Sequence, residues 1–230
     1  MPRRFTIDTG LSGIVSGLHY PADRHSAVQT LLILAHGAGA GAGASQYSEL
    51  MHCFASGMAT RGIDTVTFDF LYIEQGRRAP DSKSRLEATY RAAIKETQLA
   101  IPSMTSRLVI GGKSMGGRIA SQIAADPSVK TKVAGLVFLG HPLHPPGRPE
   151  RRRDEHLAAI TAPMIFVQGS RDPFGNKDEM RPVVDACQQG RLHIVEGGDH
   201  SLRLPNKMDL TTLQVYDSVQ DVRGSWIETL

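Results

Sequence analysis

Only two cysteines, Cys53 and Cys187, occur among the 230 residues, with no CxxC pair and no Cys/His spacing suited to a metal. A disulfide framework and a zinc site of the usual kind are therefore excluded, and the composition suits a reducing compartment. Long apolar runs are missing too. The longest, at 31–35, is far too short to cross a bilayer, and no apolar stretch stands behind Arg3 and Arg4 as a signal peptide would require. A cytoplasmic protein without a membrane partner is expected. Aromatic residues make up only 6%, and the net charge of +3 is small. The basic runs Arg77-Arg78 and Arg151-Arg152-Arg153 have no interleaved aromatics, so nucleic acid is not expected as a partner. With 40% hydrophobic and 21% charged residues, the chain has an ordinary globular composition.

What is present is a rhythm of short apolar runs and longer amphipathic ones. Residues 5–8 and 13–20 alternate as a strand pair does, and Pro21 ends the second. Residues 30–35, 64–70, 133–140 and 163–168 do not alternate, which implies burial on both faces, as in the middle of a parallel sheet. A further such strand starts at Arg107, and 192–195 is the last. Helical spacing is read at 45–61 (Leu50, Phe54, Met58), at 84–100 up to the stop at Pro102, after 114 to about 126, briefly at 153–160, at 176–189 and at 211–230. Strands alternating with helices argue for βαβ units in a doubly wound α/β sheet, and one domain over 1–230 is the simplest account.

The segment Arg107-Leu108-Val109-Ile110-Gly111-Gly112-Lys113-Ser114-Met115-Gly116-Gly117 reads as buried strand, abrupt turn and helix. Gly112 and Gly116 flank Ser114 in the spacing G-x-S-x-G, because bulkier neighbours would clash with the strand and helix that the turn joins. Such a bend pushes the serine oxygen out of the sheet edge at a helix N-terminus, and the Met115 N–H can face an oxyanion there. A phosphate-binding loop is the competing reading of Gly112-Lys113-Ser114. It needs glycine at 107, where this chain has Arg.

A serine nucleophile needs a base, and the base needs an orienting acid, both at the same sheet edge. Asp172 follows the strand at 163–168, and His200 follows the strand at 192–195 behind Gly197 and Gly198. The order Ser, Asp, His, each after a successive strand, is hard to obtain by accident. Asp199 and Asp178 are rival acids, and Asp69 ends an earlier strand on the same edge as a structural or substrate-facing acid. A second oxyanion donor can come from the glycine-rich loop at 37–44, through the N–H of Ala38 or Gly37. That loop also resembles a dinucleotide fingerprint. A strand pair precedes it, however, and its Gly-Ala repeats offer several weak registers.

Taken together, the His36-Gly37 loop, Gly112-Lys113-Ser114-Met115-Gly116, Gly169-Ser170-Arg171-Asp172-Pro173 and Gly198-Asp199-His200-Ser201 resemble the α/β-hydrolase superfamily in its own order. Gly140-His141-Pro142-Leu143-His144-Pro145-Pro146-Gly147 with Asp172-Pro173-Phe174-Gly175 is similar to a compact, lidless branch of predicted hydrolases near the dienelactone-hydrolase-like enzymes. The resemblance implies a three-layer α/β/α sandwich around an eight-stranded, mostly parallel sheet. It also implies Ser114, Asp172 and His200 as a triad, with Ala38 and Met115 as oxyanion donors. Dienelactone hydrolases proper use cysteine where this chain has Ser114, so their substrate is not carried over.

The function expected is acyl transfer to water through a Ser114 ester, with no metal or organic cofactor. Between the strands ending at 140 and starting at 163 lie 22 residues, too few for a helical lid, which favours a small acyl substrate in an open site. His36, Tyr72, Leu143 and Phe174 are candidates for the pocket. Arg151, Arg152 and Arg153 are read as a solvated face or as an attractor of anionic substrate. The competing class is a binding or scaffold module that keeps the fold without turnover. Monomer and homodimer both remain open.

Overall fold

The computed structural model of the chain describes residues 1–10, 13–23, 25, 27–39, 45–101, 107–128, 131–205 and 211–230. Eight strands form one sheet: β1 Arg3–Asp8, β2 Ile14–Tyr20, β3 Thr30–Ala35, β4 Asp64–Phe68, β5 Arg107–Lys113, β6 Gly135–Leu139, β7 Met164–Gly169 and β8 Gly190–Val195. Their order across the sheet is β1-β2-β4-β3-β5-β6-β7-β8. Only β2 runs against its neighbours β1 and β4, and the ladders from β4 to β8 are all parallel. The sheet is therefore mostly parallel and doubly wound, as the unalternated runs imply.

Side chains on a strand point alternately to the two faces, so a central strand needs apolar residues at every position. In β3, Leu31 and Ile33 join one core with Tyr90, Ile119, Phe138 and Phe166. Leu32 and Leu34 join the other with Phe54, Met58, Tyr216 and Ile227. Helices α3 (Lys83–Ala100), α4 (Met115–Ala125) and α5 (Lys177–Asp185) cover the first face; α1 (Glu49–Thr60) and α6 (Thr212–Glu228) cover the second. This is the three-layer α/β/α arrangement. Each fully buried Leu, Ile or Phe contributes about 1.5–3 kcal/mol, and replacing Phe54 by Ala should cost about 3–5 kcal/mol.

The element boundaries differ from the sequence pattern where local caps intervene. Helix α1 starts at Glu49 rather than near 45, because the Ser48 side chain accepts the Met51 N–H. Asn176 and Thr211 head α5 and α6 with reciprocal capping boxes. Helix α5 stops at Asp185, four residues early, and the helix expected at 153–160 is only a 3₁₀ turn at Leu157–Ala159. A four-residue helix, α2 (Leu71–Glu74), follows β4 without a sequence period to announce it. The stop at Pro102 and the Gly/Ala loop over 40–44 lie outside the described residues. No helix among the described residues is long and apolar enough to cross a membrane.

Candidate active site

Strand β5 ends at Lys113, and α4 begins at Met115, so Ser114 alone makes the bend. Its φ of 49° and ψ of −113° belong to a region that residues with a Cβ avoid, at a cost of about 1–3 kcal/mol. The turn is pinned on both sides: the Ser114 N–H donates to the Leu139 carbonyl, and the Arg118 N–H donates to the Ser114 carbonyl, each at 3.0 Å. The flanking glycines have a steric reason. A Cβ at Gly112 would lie 2.2 Å from the Ala35 carbonyl oxygen, and one at Gly116 would lie 2.3 Å from the same atom. The elbow thus presses directly on the end of β3.

Asp172 and His200 arrive from the turns after β7 and β8. These turns are interlocked: the Arg171 N–H donates to the Gly198 carbonyl at 3.0 Å, and a Cβ at Gly169 would strike the Asp199 and Gly198 carbonyl oxygens. Gly140 leaves room for His200 in the same way, since a Cβ there would lie 2.6 Å from the His200 carbonyl oxygen. The result is a continuous relay. His200 Nδ1 is 2.8 Å from Asp172 Oδ2, and His200 Nε2 is 2.9 Å from Ser114 Oγ. A carboxylate only accepts, so Nδ1 carries the proton and Nε2 is left to accept from the Ser114 hydroxyl.

Asp172 is only 2% exposed. Its Oδ2 also accepts from Gln168 Nε2 at 2.8 Å, and its Oδ1 accepts from the Phe174 N–H at 2.8 Å. Burial lowers the His200 pKa below its usual 6.5; the Asp172 hydrogen bond opposes this, and the Lys113 charge reinforces it. Lys113 is itself buried, donates from Nζ to the His200 carbonyl at 2.7 Å, and is pushed down to about 7 by burial, against the pull of Asp172 and Asp199. The Phe174 ring lies over the imidazole, with centroids 4.1 Å apart.

Gly37, Ala38 and Met115 line the cavity beside Ser114, and a Cβ at Gly37 would be 3.5 Å from Ser114 Cβ. His36 holds this loop. Its Nδ1–H donates to the Gly37 carbonyl at 2.7 Å, and its Nε2 accepts the Phe70 N–H at 3.0 Å. Both ring nitrogens are thereby committed, and burial pushes the pKa down to about 4. Asp69 lies beneath, 3.6 Å from His36 Nε2, accepting the Gln46 N–H at 2.7 Å; burial raises its carboxyl to about 6.

The cavity at Ser114 holds about 720 Å³. A larger one, about 980 Å³, lies at the opposite ends of the strands, beside Pro163, Gly190 and Trp226, away from all these groups. Of the four residues expected in the pocket, Phe174 and His36 line the cavity and two do not. Tyr72 is fully buried with its hydroxyl on the Gly39 carbonyl. Leu143 is fully buried against Gly175, with its N–H on the Phe174 carbonyl. Both belong to the core: helix α2 turns Tyr72 inward, and the loop after β6 does the same for Leu143. Of the rival acids, Asp199 Oδ1 accepts the N–H groups of Ser201 and Arg203, and Asp178 sits in the first turn of α5. Gln168, Lys113 and Arg118 went unrecognised in the sequence. Gln168 had a signal, as the one polar side chain in the run Met164–Gly169.

The α/β-hydrolase domain family matches residues 28–228, which spans β3 to α6 and all three residues of the relay. The chain belongs to this family. Solved structures agree on the architecture of this α/β-hydrolase. A serine hydrolase homologue from Coxiella burnetii superposes with a TM-score of 0.74 at 16% identity, covering 98% of this chain and 97% of its own. A serine hydrolase without a lid from Xanthomonas campestris gives 0.73 at 16%, covering 98% and 94%. A dienelactone hydrolase from Anabaena variabilis gives 0.74 at 18%, covering 99% and 98%. At these identities the likeness concerns the fold.

Proposed function

We propose that this α/β-hydrolase is a serine hydrolase that cleaves small acyl esters or thioesters. The observation that carries the reading is the unbroken relay from Asp172 through His200 to Ser114, at 2.8 and 2.9 Å, ending on a strained elbow. His200 Nε2 takes the hydroxyl proton as Ser114 Oγ bonds to the substrate carbonyl carbon, and the carbonyl electron pair moves onto oxygen. When the pair returns, the bond to the alcohol or thiol breaks, and the leaving group takes the proton from His200. Water then repeats the two steps on the acyl-Ser114 ester, with its proton again passing through His200, and the acid and free serine result. Asp172 holds the ring in its tautomer throughout. The backbone N–H groups of Met115 and of Ala38 or Gly37 are the oxyanion donors in this reading, each worth roughly 3 kcal/mol.

The segment between β6 and β7 carries only the 3₁₀ turn Leu157–Ala159. A cavity without a helical lid fits short acyl groups and easy exchange with water. The competing scaffold reading keeps the fold without turnover. A fluorophosphonate probe separates the two: labelling at Ser114 that Ser114→Ala abolishes, with hydrolysis of short esters or thioesters falling at least 1000-fold, supports the enzyme. Folded protein that neither labels nor hydrolyses any member of such a panel supports the scaffold.

A further inference from the structure

The wall of the catalytic cavity that runs along α4 carries three cations: Arg118 from α4 itself, Lys83 from the start of α3, and Arg153 from the segment between β6 and β7. Among the described residues Arg118 and Arg153 make no ion pair, although the neighbouring Arg152 is paired with Asp154 at 2.5 Å. Lys83 has only a loose partner, Glu87, at 3.6 Å. Arg118 Nε is buried without a hydrogen-bond partner, and burial together with the Arg153 charge lowers the Arg118 pKa against the opposing charge of Glu87. Arg153 and Lys83 are exposed to solvent, which screens their repulsion with Arg118, whereas the buried Arg118 Nε has no partner among the described residues.

The acids that line the cavity, Glu49 and Asp81, make no ion pair with Arg118 or Arg153. Glu49 is turned to Arg203 at 3.5 Å, and Asp81 Oδ1 is held by Arg77 at 2.6 Å and Arg85 at 3.5 Å, while Asp81 Oδ2 is buried without a hydrogen-bond partner among the described residues. Arg118 stands one helical turn after Ser114, about 6 Å along the axis, and side chains on a helix lean back toward its N-terminus. The same cavity is lined by the apolar side chains of Met115, Leu86 and Pro142.

Resting on the serine-hydrolase reading, we propose that this wall is an acyl-binding subsite, and that the substrate is an ester or thioester whose acyl chain ends in a carboxylate held by Arg118 and Arg153. Guanidinium matches a carboxylate with paired hydrogen bonds. A spacing of about one turn suits a dicarboxylic half-ester in which a short methylene chain separates the two carbonyl carbons.

The test compares 4-nitrophenyl hydrogen adipate with 4-nitrophenyl methyl adipate, which differ only in distal charge. Wild type should favour the half-ester at least tenfold in kcat/KM. Arg118→Met keeps an apolar stem and should lower that ratio tenfold to a hundredfold; Arg153→Ala should lower it less, and Arg118→Lys should restore part of it. A ratio that Arg118→Met leaves unchanged overturns the proposal. Adipate titrated into Ser114→Ala protein, followed by calorimetry, supplies a readout independent of turnover. Saturable binding that Arg118→Met weakens at least fivefold supports the subsite even if neither ester is hydrolysed, in which case only the hydrolase reading fails. No saturation by adipate in the absence of turnover, or binding of inorganic phosphate in its place, overturns the carboxylate assignment.

Discussion

His141 is fully buried against the rings of Phe138 and Phe166, with centroids 5.0 and 5.6 Å away, and neither ring nitrogen has a hydrogen-bond partner among the described residues. Burial pushes its pKa down to about 3, and the nearby charges of His156, Arg118 and His200 act in the same direction against Asp154. Between pH 6.5 and about 3 the unfolded chain therefore binds a proton at 141 that the folded chain refuses, so stability falls as pH falls through that window. At pH 4.5 the two units below the ordinary value amount to about 2–3 kcal/mol. His36 adds a loss of the same sign, since it too is depressed, to about 4. Asp69, raised to about 6, acts oppositely, because its folded form welcomes a proton below that pH. Replacing His141 by Phe removes one contribution and leaves the other two in place. Urea unfolding at pH 7.5 and 4.5 should then show wild type losing about 2–3 kcal/mol more than His141→Phe. Any overpacking by the larger ring is independent of pH and cancels in that difference. Equal losses in the two proteins would refute the reasoning, since they would mean that position 141 accepts its proton in the folded state.

Further outcomes bear on the relay. Asp172→Asn should lower kcat by about 10³–10⁴, by presenting Ser114 with the wrong imidazole tautomer; a loss under tenfold would remove Asp172 from the mechanism. The kcat/KM profile should rise with pH as His200 loses its proton, with a midpoint below 6.5 because burial outweighs the Asp172 bond. A midpoint above 6.5 would mean that the carboxylate dominates. Ser114→Gly should abolish turnover yet raise stability by about 1 kcal/mol, the released strain less the extra chain entropy of glycine. Differential scanning calorimetry would register this as roughly 2–4 °C in Tm.

The sheet was legible because its central strands leave a simple mark. Residues at both parities of β3, β5, β6 and β7 are buried, so alternation disappears and length alone separates strand from helix. The elbow was legible for a similar reason: Gly112 and Gly116 answer to one carbonyl, that of Ala35. Where packing rather than period decides, the letters were silent. Helix α2 spans four residues, one turn, too short for a helical period to show. Tyr72 and Leu143 have the chemistry of a pocket wall, and only the packing of helix α2 and of the loop after β6 makes them core. Arg118 was passed over because helical spacing explains it sufficiently until Arg153 is seen to share its wall.

The contacts that fix the relay and those that shape the cavity come from different sets of atoms. Gly112 and Gly116 seat the elbow on β3, Gly140 makes room for His200, and Gly169 receives the backbone of 198 and 199. Lys113, the residue before Ser114, holds the carbonyl of His200, so both ends of the Ser114–His200 hydrogen bond are tied to one strand end. These are approaches of backbone to backbone, or of a buried side chain to backbone, and exposed side chains take no part in them. The cations along α4 belong to the other set: the Arg118 backbone N–H pins the elbow, but the side chains of Arg118, Lys83 and Arg153 take no part in these contacts. Under the subsite proposed above, a change of substrate charge can be engineered on that wall while the distances among Ser114, His200 and Asp172 are held from behind. This separation is a physical reason why one sheet edge can keep its chemistry while the cavity beside it changes what it admits.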